Sequence, residues 1–154
     1  MSRFDVSFED DAISRLTMTG FDEIAVEALN ECAPVLVEST KEACASVIGH
    51  PGDSELVNSW KANKPKETRS KDAYVLTVVP KGNSKTHYYF AVNGKGGHYA
   101  RKYAVSNALK AIWLENGING RQDPHHFLEK AAKSCEAEVN QKIQDVFNRK
   151  VGAE

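Results

Sequence analysis

The sequence predicts an α+β domain: a small antiparallel sheet with a long hairpin, packed by long N-terminal and C-terminal helices, with a short helix before the last one. Three observations carry that prediction. Apolar residues recur at helical spacing from Phe21 to Ile48 and again from Phe127 to Phe147. Two runs between them, Ala73–Val79 and Thr86–Val92, are rich in β-branched and aromatic residues. The stretch from Ala104 to Ala132 reads as helix, tight polar turn, helix. At 154 residues the chain suits one domain, 1–154, with a core of its own.

In order, Phe4-Asp5-Val6-Ser7-Phe8 alternates apolar and polar as a half-buried strand does, and Glu9-Asp10-Asp11 can open a small helix through Leu16. The first long helix presents Ile24, Ala25, Ala28, Leu29, Cys32, Val35, Leu36, Ala43, Val47 and Ile48 on one face. Pro34 should kink or split it, because proline removes a backbone donor and crowds the preceding turn. Gly49, Pro51 and Gly52 end it. Asp53 or Ser54 is placed to cap a short helix reaching Trp60. From Lys61 to Asp72 the chain is basic and lacks apolar periodicity, which predicts a mobile linker or a hairpin arm. Lys81-Gly82-Asn83-Ser84 separates the two β-rich runs, so these read as one hairpin over Ala73–Val92, with Tyr88, Phe90 and Val92 on one face. Asn93-Gly94-Lys95-Gly96-Gly97 reads as a flexible turn, making 80–102 a second flexible segment beside 61–72.

The corner begins with a stripe of Val105, Ala108, Leu109 and Ile112, widened by Trp113. Gly117 follows, where a chain leaving a helix often needs positive φ. Asp123 offers an N-cap oxygen and Pro124 sits where its missing N–H costs nothing. Glu115, at a helix C-terminus, is disfavoured by the dipole there and so needs a partner, Arg121 or a backbone N–H. Glu115, Gly117, Arg121, Asp123 and Pro124 are thus the predicted structural corner. The last helix runs from Pro124 to about Lys150, and 151–154 fray.

Several of these segments carry a resemblance. The Leu114-Glu115-Asn116-Gly117 corner and the Pro124-His125-His126-Phe127-Leu128 helix start resemble the HK-ninety-seven-type minor tail component family of bacteriophages, with Asn116 where that family usually has Tyr or Phe. Asp53-Ser54-Glu55-Leu56-Val57-Asn58-Ser59-Trp60 resembles its Thr-Gly-x-Leu-x-x-Ser-Ile segment. Lys61-Ala62-Asn63-Lys64-Pro65-Lys66, Val78-Val79-Pro80-Lys81-Gly82 and Cys32-Ala33-Pro34-Val35-Leu36 are similar to further family segments, and the order is kept from about Phe21 to Ala132. The resemblance implies a phage or prophage virion protein of the head–tail junction or upper tail, of tail-completion or tail-terminator type. It would be made in the bacterial host cytoplasm and act by ring assembly with itself and with head–tail or tail-tube neighbours, rather than by turnover.

The near-neutral total hides a division. Residues 1–60 hold three basic and twelve acidic side chains, 61–121 hold twelve basic and three acidic, and the rest hold five and six. Opposed sections of this kind steer copies of a chain head-to-tail, or form solvated faces of one domain. The candidate assembly contacts, or contacts with DNA in a ring lumen, are Lys64, Lys66, Arg69, Lys71, Lys81, Lys85, Lys95, Arg101 and Lys102. Interleaved aromatics also keep open a small nucleic-acid-binding module using 61–121. No catalytic, cofactor or metal residue is predicted. Gly94-Lys95-Gly96-Gly97 lacks the helix and the Ser/Thr that a phosphate loop needs. His125 and His126 diverge by about 100° on a helix, too far to grip one ion easily. Cys32, Cys44 and Cys135 are expected as buried reduced thiols. No apolar run is long enough for a membrane span, and no signal peptide is read at the start.

Overall fold

A computed structural model describes residues 20–49, 54–70, 73–94, 97–120 and 122–151, with the backbone alone over 84–104. The expected strand at Phe4–Phe8 and small helix to Leu16 lie outside them, as do residues 152–154. In chain order the elements are α1 (Phe21–Val47), α2 (Ser54–Ser59), β1 (Trp60–Ala62), β2 (Lys66–Glu67), β3 (Tyr74–Val75), β4 (Val78–Pro80), β5 (Asn83–Gly94), β6 (Gly97–Ser106), α3 (Asn107–Asn116) and α4 (Phe127–Val151). The architecture is α+β, as expected: long first and last helices, a short helix before the last, and strands between.

Helices α1 and α4 lie antiparallel because each carries one continuous apolar stripe. Ile24 and Ala28 bury against Val146, with Ile143, Phe147 and Val151 around them. Farther along α1, Cys32 meets Cys135 and Val139, flanked by Val35 and Leu36. The Ser39 hydroxyl donates to the Ala131 carbonyl at 2.7 Å and lies 2.8 Å from the Ser134 hydroxyl, fixing the register between the helices. Arg149 reaches back to Glu27 at 2.7 Å and Glu31 at 2.5 Å, and Lys150 to Glu27 at 2.8 Å. Pro34 does not split α1, which is continuous from Phe21 to Val47. The three cysteines are buried and free, as expected.

The third core cluster lies where the α1 C-terminus, α2, β1, α3 and the start of α4 converge: Cys44, Leu56, Trp60, Ala111 and Phe127. Trp60 and Phe127 meet edge to face at a centroid distance of 5.9 Å, an arrangement that adds to simple area burial.

The strands pair differently from the sequence expectation. Ala73–Val79 does not pair forward onto Thr86–Val92. It folds back onto the preceding segment: Trp60 opposes Pro80, Ala62 opposes Val78, and Lys66 opposes Val75. Between these two ladders Asn63 bridges to Thr77 through its backbone N–H, 2.8 Å from the Thr77 carbonyl, and its side-chain amide, 2.9 Å from the hydroxyl. The polar stretch from Lys61 is therefore one arm of a hairpin. The strand β5 pairs with β6 instead, from Asn83 opposite Ser106 to Gly94 opposite Gly97. Lys81-Gly82 is a crossing rather than a turn: the Lys81 N–H donates to the Ser59 carbonyl at 2.9 Å and the Gly82 carbonyl accepts from Asn107 N–H at 3.0 Å. Near the base, the three residues between Asn83 and His87 on β5 face the single residue between Ser106 and Ala104 on β6, a bulge that twists the ribbon. Tyr99–Tyr103 lies in β6.

Candidate assembly surface

The corner is built from backbone groups that each helix end leaves free. At the end of α3, Gly117 adopts φ 75 and ψ 179, and its N–H donates to the Trp113 carbonyl at 2.8 Å. The chain then turns through the Ile118–Gln122 bridge and returns antiparallel to its own exit. On returning, His125 N–H donates to the Leu114 carbonyl at 2.9 Å and His126 N–H to the Glu115 carbonyl at 3.3 Å. A Cβ on Gly117 would lie 2.6 Å from the Gln122 carbonyl oxygen and 2.8 Å from Pro124 nitrogen, so the position has room for hydrogen only.

Glu115 finds a backbone N–H, one of the two partners expected for it: its carboxylate accepts from Leu128 N–H at 2.9 Å. The same negative charge that is disfavoured at the end of α3 sits at the start of α4, where exposed N–H groups favour it. This capping displaces the expected roles of Asp123 and Pro124. Helix α4 begins at Phe127, not Pro124, so Asp123 is exposed and caps nothing at its start. His126, with φ 49, is the residue that turns the chain into α4. Arg121 lies outside the described residues.

Helix α3 corrects the sequence reading most sharply. Ser106 caps it, accepting from Leu109 N–H at 3.2 Å. Of the predicted inward stripe Val105 is buried but belongs to β6, whereas Ala108 is exposed, Leu109 is 40% exposed and Ile112 55%. The buried positions are Asn107, Lys110 and Ala111, with Lys110 only 3% exposed. The physical reason lies at the N-terminus, where the Asn107 side-chain amide donates to the Lys81 carbonyl at 2.8 Å. That bond, the Asn107–Gly82 backbone bond and the Gly117 exit fix the rotation of a ten-residue helix. Asn107 Oδ1 and the Trp60 indole N–H are buried without a hydrogen-bond partner among the described residues.

The basic candidates do not converge. Lys64, Lys66 and Arg69 are exposed on the distal part of the β1–β4 and β2–β3 hairpin, and Lys81 is exposed at its other end. Arg101 and Lys102 occupy β6 opposite Phe90 and Tyr89, and Lys85 lies in the bulged part of β5. Lys71 and Lys95 fall outside the described residues. The distal hairpin lies close to the acidic α1: Tyr74 faces the Asp22 carboxylate, and burial first, then that acceptor, push its phenol up.

Sequence reasoning missed a shallow, open depression along the first turns of α1, lined by Asp22, Glu23, Val26, Glu27, Asn30 and Glu31. The Lys150 hydrogen bond, more than the Arg149 charge, holds the Glu27 carboxyl below the usual glutamate range. Burial pushes the Cys32 thiol up, away from a reactive thiolate. Among the described residues no three His, Cys, Asp or Glu side chains could share a metal ion, and no helix is long and apolar enough to cross a membrane. Comparisons of the chain with protein-family models, with curated proteins and with solved structures each found no match.

Proposed function

We propose that this chain is a virion structural protein of a phage or prophage, at the head–tail junction or upper tail, working by subunit docking and ring assembly rather than by catalysis. The observation that carries this reading is the β5–β6 ribbon. At roughly 3.3 Å per residue its twelve-residue strand spans about 36 Å. Among the described residues its two strands pair with each other, and its contacts with the body are chiefly to α2 and α3. A two-stranded ribbon is marginal in water unless something packs on it. An element this long, held at one end by a bulge and a rigid corner, is suited to ordering against a neighbouring subunit. The order-preserving resemblance from Phe21 to Ala132 gives the neighbour its identity: further copies, a head connector or a tail tube. On this reading the protein resides in the virion tail or neck after synthesis in the host cytoplasm.

A second reading is favoured by one feature of the same ribbon. Residues 83–106 hold Lys85, Lys95, Arg101 and Lys102 and no acidic side chain, interleaved with five aromatics at Tyr88, Tyr89, Phe90, Tyr99 and Tyr103. That composition suits sequence-blind contact with DNA in a lumen, or a free-standing nucleic-acid module.

Size-exclusion chromatography with light scattering across a salt series tests the first reading. Assembly into species of fixed copy number supports it, and a strictly monomeric chain at high concentration and low salt counts against it. Fluorescence anisotropy with a random duplex tests the second. Binding that falls steeply with salt supports it, and no binding at low salt removes it.

A further inference from the structure

We infer that one face of the β5–β6 ribbon is a stacking platform for the unpaired bases of a single-stranded nucleic acid. The inference rests on the nucleic-acid reading above and adds which strandedness the ribbon takes and on which face.

The register of the ribbon is the first observation. From His87 opposite Ala104 to Gly94 opposite Gly97 the ladder runs unbroken. Residues opposite one another in an antiparallel pair share a face, and successive residues along a strand alternate between faces. One face therefore holds three successive rungs: Tyr88 with Tyr103, Phe90 with Arg101, and Val92 with Tyr99. The other face has a single aromatic, Tyr89 opposite Lys102, among alanine, histidine and asparagine positions. Four of the ribbon's five aromatics thus fall on one side, with an arginine in the middle rung.

Charge is the second observation. Residues 83–106 contain no Asp or Glu, so no carboxylate along the ribbon repels a phosphate chain. Arg101 and Lys102 are neighbours on β6 and so fall on opposite faces, which leaves a cation beside the aromatic rungs on either side. An apolar protein partner would give no reason for that imbalance, whereas a phosphate backbone does.

Spacing then selects a single strand over a duplex. Successive rungs on one face lie about 6.8 Å apart, two residues at about 3.4 Å each. Bases in a duplex repeat at about 3.4 Å and present only their edges in the grooves. The bases of a single strand can instead be splayed, each laid on an aromatic ring or on a guanidinium plane. Three rungs suit two or three such bases, the number that sheet platforms of this kind stack. Among the described residues the ribbon meets the body chiefly at α2 and α3 rather than along the two long helices.

Fluorescence anisotropy on the full chain tests this, with labelled thymidine and uridine oligomers and a duplex of equal length. At the same salt a single strand should bind about tenfold or more tightly than the duplex. The tighter of the two oligomers names the source of the strand. Phe90→Ala and Tyr99→Ala should each weaken single-strand binding by about fivefold to a hundredfold, the range for losing one stacked base. Tyr89→Ala, on the opposite face, should leave it nearly unchanged. Phe90→Trp should bind as the wild type does or better, which separates stacking from damage to the fold, and far-UV circular dichroism should match throughout. If the duplex binds as well as the single strand, or Tyr89→Ala costs as much as Phe90→Ala, the platform is overturned while a phosphate-led nucleic-acid reading stands. If nothing binds at low salt, both fall. If nothing binds and Phe90→Ala abolishes oligomers seen by light scattering, the aromatic face docks protein instead.

Discussion

Helices α3 and α4 carry the same kind of apolar periodicity and use it in opposite ways. In α4 the stripe of Phe127, Ala131, Cys135, Val139 and Val146 is buried from end to end against α1 and the corner core. In α3 the stripe of Leu109 and Ile112 is turned out, and Asn107 and Lys110 are turned in. Length decides which force wins. Rotating the twenty-five-residue α4 would expose five buried side chains at about 1.5–3 kcal/mol for each large one. Helix α3 has ten residues, and its two ends are tied by the Asn107 bonds to Lys81 and Gly82 and by the Gly117 exit. For a short helix, the groups at its ends outweigh two or three apolar side chains on its surface.

The largest expected effect tests the long-helix half of that contrast. Phe127 is fully buried and joins α4 to Trp60, Cys44 and Ala111. Phe127→Ala should cost about 3–5 kcal/mol in urea unfolding, through lost burial and the cavity left behind. A loss near 1 kcal/mol would mean that the convergence point collapses around the gap. The next effect tests the short-helix half. Gly117→Ala places a side chain in a backbone region used essentially by glycine and drives its Cβ into Gln122 and Pro124. A loss of about 2–3 kcal/mol is expected from unfolding midpoints, since such conformations cost of order 1–3 kcal/mol before any clash.

Smaller effects separate the hydrogen bond from the charge at each helix end. Glu115→Ala should cost about 1 kcal/mol, as loss of an N-terminal cap does, and Glu115→Gln clearly less because the amide oxygen still accepts from Leu128 N–H. Equal losses would assign the effect to the negative charge rather than the bond. At the other end of α4, Arg149 and Lys150 hold Glu27 with its carboxyl depressed. A group whose folded pKa is lowered stabilises above its ordinary value, and that contribution fades as pH falls through the lowered one. The melting-temperature gap between wild type and an Arg149→Ala, Lys150→Ala double variant should therefore be largest near neutrality. It should close on acidification through and below the ordinary glutamate range. A gap unchanged at low pH would exclude the ion pairs as its source.

What the sequence made legible follows the same division. The long helices, the short α2 helix, the glycine exit at Gly117 and a clasp by Glu115 could all be read, because each rests on local periodicity or on one residue's backbone preference. The pairing of Ala73–Val79 could not. Its partner segment from Lys61 is polar on both faces where Lys66 and Glu67 lie exposed, so period-two alternation is absent. The crossing at Lys81-Gly82 has turn composition, and only its bonds to Ser59 and Asn107 reveal that the chain does not reverse there. The cap of α4 was assigned to Asp123 because a local cap is the usual solution, and here a residue thirteen positions before Leu128 supplies it. The α1 depression has no local signature at all, since its carboxylates read as an ordinary wet helix face.

The smallest expected effect breaks or keeps the comparison outright. Ile112→Ala removes a large apolar side chain from a helix whose pattern says it belongs in the core. If the inverted α3 is correct, the side chain already faces water, and unfolding free energy should change by no more than about 0.5 kcal/mol in a monomeric sample. Val139→Ala on α4, a smaller change at a buried position, should cost about 2 kcal/mol, near 0.8 for each methylene-sized group plus the space left behind. A large loss at Ile112 with a small one at Val139 would reverse the two helices and return α3 to its sequence-predicted rotation. Lys110 tightens the test, because Lys110→Ser alters a buried position in the inverted helix and an exposed one in the sequence-predicted helix. Only the first arrangement makes that substitution costlier than Ile112→Ala.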